Sequence, residues 1–392
     1  MAREKILLLT VAAAAALHGG VFRKANQGLP PPPPPPSQAW AEAPRPAPAA
    51  KPAPARPAPA VTRPAPPKPS RRPPPVAKPA PVPPLRTAPA PVSAPPSKAS
   101  FESILALQIC LDRRGFSCNT IDGQLGRKTK VALATYCAVN GFTGPKAYVP
   151  GEEEKTWQTY FPGETNLLVS VAVTEADHAA LVQIPKEPAE KAKLAAMGYQ
   201  TIEEMFAERG HCSVALLRKL NPGLAGPNPP AGTRITLPQW SVYANRPAPK
   251  RFPYGRADVL RVSLSRLEIT AFNEQGRMIG LFPCSIAAQK NKLPPPGEIQ
   301  VKTIADKPNY TFTEERAGKD GRIGRYIYPP GPNNPVGASW IGLTLPTYGI
   351  HGTPFPEQIG RAESHGCFRL ANWNAEKLRS MCEVGTSVVI EQ

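Results

Sequence analysis

Two histidines and a cysteine stand close together near the end of the 392-residue sequence: His351, His365 and Cys367. The whole chain holds only five histidines, and two of them lie within sixteen positions of this cysteine. A thiol becomes a strong nucleophile when a histidine takes its proton and stabilises the thiolate. The local text reads Tyr348-Gly349-Ile350-His351-Gly352-Thr353 and then Ser364-His365-Gly366-Cys367-Phe368-Arg369-Leu370. Small residues around both groups let a substrate backbone approach. Gly366 also lets backbone N–H groups turn toward one point, as an oxyanion hole requires. The plainer alternative is a buried structural cysteine beside a chance histidine. The glycine context and the uneven distribution of histidine weigh against it.

The elements that must position these residues begin near Val259, where hydrophobicity changes to period two. Leu267 to Phe272 and Met278 to Pro283 read as the two strands of a hairpin turning at Asn273 to Gly276. Ile299 to Ile304, Trp340 to Leu343 and Ser387 to Ile390 are further strands, and Ala375 to Met381 is a helix with Asn374 as its cap. The last 135 or so residues are thus predicted to be mainly β with one or two helices.

This stretch resembles the L,D-transpeptidase (YkuD-type) catalytic domain over residues 258–391, a mixed β-sandwich. The resemblance rests on His351-Gly352-Thr353, on Ser364-His365-Gly366-Cys367 with Arg369 two positions on, and on flanking text at Asn334-Pro335-Val336-Gly337, Trp340-Ile341-Gly342-Leu343 and Gly385-Thr386-Ser387-Val388-Val389-Ile390. It departs from the family at Phe368, where Ile or Val is commoner, and at Pro294-Pro295-Pro296-Gly297, which lacks the usual Thr. The resemblance implies Cys367 as nucleophile and His351 as general base and acid, oriented by the Gly352 carbonyl. His365 and Gly366 would shape the pocket and the oxyanion hole, and Arg369 would brace the loop or meet a substrate carboxylate. It further implies peptidoglycan stem peptides as substrate: attack on the amide between diaminopimelate and terminal D-alanine, release of D-Ala, and transfer of the acyl group to an amine to give a 3-3 crosslink. Water as acceptor would make the same site a carboxypeptidase, and a lysine of an outer-membrane lipoprotein would make it a wall-attachment enzyme. A wall-binding scaffold with vestigial chemistry is the reading from another class. No metal or cofactor is implied, and ATP, NAD and flavin motifs are absent from the sequence. A papain-like wall peptidase would place its cysteine before its histidine, the reverse of the order here.

Two shorter upstream segments carry resemblances of their own. Residues 101–144 resemble a helical peptidoglycan-binding domain through Leu107-Gln108, Leu111, Gly115, Ile121-Asp122-Gly123, Gly126, Thr129 and Ala132, with Tyr136-Cys137 replacing the usual Phe-Gln. Residues 194–240 resemble a LysM-like β-α-α-β module through Tyr199-Gln200-Thr201-Ile202-Glu203, Leu216-Leu217, Leu220-Asn221-Pro222-Gly223 and Ala231-Gly232-Thr233, although its first strand is not visible there. Leu167 to Thr174 reads as a strand without an evident partner. Both resemblances imply glycan strands as partners, and the fold class expected for the chain is multidomain.

Composition sets the context. Of 54 prolines, 29 lie between Pro30 and Pro96, so residues 28–98 are predicted to be an extended Pro/Ala-rich linker with no core. Residues 30–98 hold ten Lys/Arg against one acid and contribute +9 of the net +18, while residues 1–29 contribute +3. Such a basic spacer is attracted to polyanions. The sequence lacks the zinc-finger and RRM-like signatures that would favour nucleic acid as the partner. Residues 1–20 read as a signal or anchor: Arg3 and Lys5 precede an apolar run from Ile6 to Leu17, too short to span a bilayer comfortably. Export to the periplasm or cell envelope is expected, with the N-terminus contacting membrane. Seven cysteines agree with an oxidising compartment: six are free to pair, Cys110 with Cys118 for one, leaving a working thiol.

Overall fold

The structure is a computed structural model, and it describes residues 100–143, 157–241, 255–314, 323–360, 362–364 and 366–392. The signal or anchor segment 1–20, the linker 28–98, most of the 241–256 connector and His365 lie outside the described residues.

The helical segment follows its sequence closely. Helix α1 (Phe101–Arg113) starts at Ser100, whose hydroxyl accepts the Ser103 amide, and the chain turns away through Gly115 at φ 80°. Helix α2 (Arg127–Val139) opens after Gly126, and Thr129 does not cap it. Thr129 is instead buried, and its hydroxyl accepts from Gln108 Nε2 at 3.0 Å. Gln108 Oε1 accepts the amides of Asp122 and Gly123, which closes the loop between the helices. Gly123 sits at φ 68° with the Phe101 ring where a Cβ would be, so only glycine fits. The short helix α3 (Trp157–Tyr160) completes the cluster.

An α/β segment follows: β1 (Leu168–Ala172), α4 (Glu175–Ala179), α5 (Pro188–Lys191), α6 (Ile202–Arg209), α7 (Val214–Leu220) and β2 (Arg234–Pro238). Thr201 and Ser213 cap α6 and α7 through the amides of Glu204 and Leu216. Strand β1 pairs antiparallel with β2, from Leu168 opposite Pro238 to Ala172 opposite Arg234. The segment therefore takes in residues upstream of 194, and the strand around Leu167, which had no evident partner in the sequence, pairs with β2.

The C-terminal part runs β3 (Val259–Ser263), β4 (Glu268–Phe272), β5 (Met278–Pro283), β6 (Ile286–Ala287), β7 (Gly297–Asp306), β8 (Tyr310–Thr313), β9 (Arg325–Tyr328), β10 (Ser339–Leu343), β11 (Gly349–His351), β12 (Ala362–Ser364), β13 (Phe368–Arg369), α8 (Asn372–Met381) and β14 (Ser387–Glu391). Eight strands form one mixed sheet in the order β13-β11-β10-β7-β14-β3-β4-β5. The expected sandwich is thus one curled sheet. The long strand β7 joins its halves, pairing with β14 through its first residues and with β10 through its last. Val262 and Ile269 from one half share a core with Ile341 and Ile350 from the other and with Leu378 of α8. Helix α8 begins three residues before the expected Ala375. Asn374 does not cap it but is buried, donating to Ser117 Oγ at 2.9 Å.

The described residues from 100 to 392 fall in one compact unit. Helix α1 is buried on two sides. Leu105 and Ile109 pack with α6 and α7, while Leu107, Cys110 and Leu111 pack with α2 and with Leu281 of β5. The loop after α1 also covers the sheet edge, since Ser117 N donates to Leu281 O and Leu281 N to Gly115 O, both at 2.9 Å. The expected disulfides are not formed among the described cysteines. Cys110, Cys118 and Cys137 serve as small apolar residues in one core, where burial pushes Cys110 and Cys137 up to about 12.

Candidate active site

Strand pairing brings the predicted nucleophile and base together. Strands β11 and β13 are parallel neighbours, with Ile350 opposite Phe368 and His351 opposite Arg369. Phe368 is fully buried, which anchors the strand that begins one residue after Cys367. His351, Gly366, Cys367 and Arg369 line one open cavity of about 670 Å³. Cys367 is half-buried at its wall, and its Sγ lies 3.5 Å from the Thr347 carbonyl oxygen. Gly366, at φ 148°, immediately precedes it. Of the predicted site residues, His365 lies outside the described ones.

His351 is almost completely buried, and its Nδ1 lies 2.6 Å from Gly352 O. A carbonyl oxygen only accepts, so Nδ1 carries the proton and Nε2 of the neutral ring keeps its lone pair. Burial drives the His351 pKa down to about 4; the Gly352 carbonyl opposes this and the Arg369 charge reinforces it. The Cys367 thiol is raised by burial, against the pull of the Gly349 backbone and of Arg369. At neutral pH the pair therefore rests as thiol and neutral imidazole, with the Nε2 lone pair able to accept a proton.

Several cavity residues were not singled out as site residues by the sequence reading. Trp340 stands directly opposite His351 in the antiparallel register, and the two rings stack at 5.6 Å with 19° between their planes. Gly349 has the Trp340 ring where a Cβ would be, so the indole lies flat on β11. Thr347 holds φ 70°, an uncommon conformation for a β-branched residue. Tyr348 donates to Lys292 O at 3.0 Å, and Tyr310 of the β8–β9 hairpin adds a further wall. The one available signal was Trp340, an aromatic residue on a strand whose partner carries His351.

A family model described as the YkuD L,D-transpeptidase catalytic domain matches residues 257–390. YkuD of Bacillus licheniformis, which carries the name of an L,D-transpeptidase, is 30% identical over 191 residues, 49% of this chain and 93% of that protein. ErfK/SrfK of Salmonella typhimurium, named likewise, is 26% identical over 192 residues, 48% of this chain and 58% of that one. Among solved structures, L,D-transpeptidase 3 of Mycobacterium tuberculosis with a faropenem-derived adduct covers 41% of this chain and 75% of its own, at 16% identity and a TM-score of 0.28.

Proposed function

Because the chain belongs to the YkuD family of L,D-transpeptidases, we propose that it forms an acyl-enzyme on Cys367 with a peptidoglycan tetrapeptide stem and passes the acyl group to an amine. The observation that carries this reading is the pairing of β11 with β13, which sets a half-buried thiol and a histidine with a free Nε2 in one cavity.

In this reading Cys367 attacks the carbonyl carbon of the amide between diaminopimelate and terminal D-alanine. His351 Nε2 takes the thiol proton as the S–C bond forms. Backbone N–H groups around Gly366 and Cys367 hold the oxyanion. The imidazolium then protonates the departing nitrogen, and D-Ala leaves. An amine of a second stem attacks the thioester, gives its proton to His351, and displaces the thiolate as a 3-3 crosslink forms. Arg369 favours the thiolate and disfavours a standing imidazolium, and in this reading it braces the loop or meets a substrate carboxylate. Water or a lipoprotein lysine as acceptor would give trimming or wall attachment at the same site. The upstream helical and α/β segments are proposed to hold wall glycan, in an exported protein of the periplasm or envelope.

The test is purified protein with a disaccharide-tetrapeptide, read by mass spectrometry for D-Ala, an adduct on Cys367 and a dimer. Folded protein with a free thiol that acylates neither on this substrate nor on a carbapenem would remove the proposal. Adduct and tripeptide without dimer would turn it toward a carboxypeptidase.

A further inference from the structure

The Gly352 carbonyl that orients His351 depends on a side chain far along the sequence. Asn372, at the start of α8, is buried to 1% exposure directly against Gly352 and Gly337: its Oδ1 stands where a Cβ on either glycine would go. Oδ1 accepts the Ala338 amide at 3.2 Å. On its other side Nδ2 meets only acceptors: the Pro332 carbonyl at 3.0 Å and the carboxylate of Glu208 at 3.1 and 3.2 Å. One orientation of the amide satisfies all of these contacts, because a flip would set an oxygen against three others.

Glu208 belongs to α6, outside the curled sheet. It is fixed by Tyr199, whose hydroxyl donates to Oε1 at 3.1 Å. The same α/β segment also grips the loop that leads to the cavity wall. Met197 N donates to Pro330 O at 2.8 Å, Asn333 N donates to Met197 O at 3.0 Å, and Asn333 Nδ2 reaches Gly198 O and Glu204 Oε1 at 2.9 and 2.6 Å. That loop continues into Pro335 and Val336, which line the cavity.

We infer that Glu208 is a positioning residue for the acyl-transfer site: by fixing the Asn372 amide it sets the Gly337–Gly352 contact and hence the carbonyl that holds His351. The α/β segment is then part of the active site's framework as well as a candidate wall binder. The effect on rate rests on the assignment of Cys367 and His351 above; the effect on ring position does not. An acceptor oxygen is what the position needs, because Asn372 Nδ2 is a donor.

The test uses the whole chain with Glu208→Ala and Glu208→Gln, and three readouts: the rate constant for acylation of Cys367 by a carbapenem, the imidazole nitrogen resonances of His351 assigned with His351→Gln, and thermal unfolding. Small misplacements of reacting groups are costly, so Glu208→Ala should acylate about 10-fold or more slowly with a shifted His351 resonance while still folded. Glu208→Gln keeps an acceptor and should restore both readouts to near wild type. If Glu208→Ala does not fold, Glu208→Asp, with the carboxylate drawn back by one methylene, should show the same loss of rate and the same ring shift. A folded Glu208→Ala with wild-type rate and resonance overturns the inference, as does a Glu208→Gln that is as impaired as the alanine variant. If neither a carbapenem nor the disaccharide-tetrapeptide acylates even the wild type, the acyl-transfer reading falls, and the ring resonance alone then decides the positioning role.

Discussion

His351 and His211 are both buried, both pressed against tryptophan, and both lowered in pKa by burial, yet their surroundings differ in two ways. The Nδ1 of His351 meets a neutral carbonyl and its ring borders an open cavity beside a thiol. The Nδ1 of His211 lies 2.8 Å from the Asp112 carboxylate, and the ring is stacked between Trp240 and Trp373 at 4.3 and 5.2 Å. Lys377 completes that second group, donating to the Asp112 carbonyl at 2.8 Å and facing its carboxylate at 3.5 Å. Burial alone would raise Asp112, but Lys377 and His211 overcome it and hold the carboxyl at about 2. Asp112, His211 and Lys377 come from α1, from the α6–α7 turn and from α8, so this histidine ties three parts of the chain together. The partner and the access of a buried histidine thus separate a candidate reactive group from a structural tie.

Substitutions should separate the two roles. The largest effect is expected of Cys367→Ala, which removes the nucleophile and should abolish adduct formation in a mass-spectrometric assay, with unfolding unchanged. His351→Ala should slow acylation by about 10²–10⁴-fold, the usual contribution of general acid–base transfer, and leave the melting curve close to wild type. His211→Ala should do the reverse. It strips a partner from a buried ionic group and should cost about 3–5 kcal/mol in denaturant unfolding, while protein that remains folded acylates within a few-fold of wild type. A His351 variant that melts early, or a folded His211 variant that cannot acylate, would break the contrast.

A pH titration sharpens the same contrast. With His351 held near 4, acylation should stay level from pH 8 to about 5 and fall only as the ring takes up a proton near 4. A histidine at its ordinary value of 6.5 would place that fall about two and a half pH units higher. The sign for stability agrees: the unfolded chain protonates this histidine first, so its contribution is full above about 6.5 and is lost as pH falls toward 4.

Much of the site was legible because its residues are close in sequence. His351 and Cys367 lie sixteen positions apart with their glycines around them, and the hairpin of β4 and β5 has its turn between its strands. What was missed depends on long separations. Strand β1 could not be paired from sequence because its partner, β2, lies 62 positions away at the Ala172–Arg234 pair and 70 at the Leu168–Pro238 pair. Asp112 and Lys377 are 265 positions apart, and Glu208 and Asn372 are 164 apart, so neither contact leaves a local pattern. The short strands β8, β9, β11 and β13 hold two to four residues each, too few for alternation to register. The disulfide expectation failed for a different reason: a count of cysteines carries no information on whether each is an apolar filler.

The smallest effect expected concerns Lys377, and its pH dependence distinguishes a tie built on charge from one built on packing. Lys377 neutralises Asp112, and its charge is one of the influences that keep His211 unprotonated. In Lys377→Met the apolar stem is retained but both effects are lost. Asp112 would then face His211 alone, and the ring would bind a proton more tightly than it does in the wild type. A proton bound more tightly by the folded variant than by the folded wild type stabilises the variant relative to the wild type as pH falls, and that relative gain is lost as pH rises. Lys377→Met should therefore be about 1–3 kcal/mol less stable than wild type at pH 8, where Asp112 lacks a cation, and the gap should narrow as pH falls toward 6. Urea unfolding of both proteins across that range measures it. A gap that stays constant or widens on acidification would mean that His211 does not take over the proton, and that stacking between Trp240 and Trp373, with no help from charge, is what holds the ring in place.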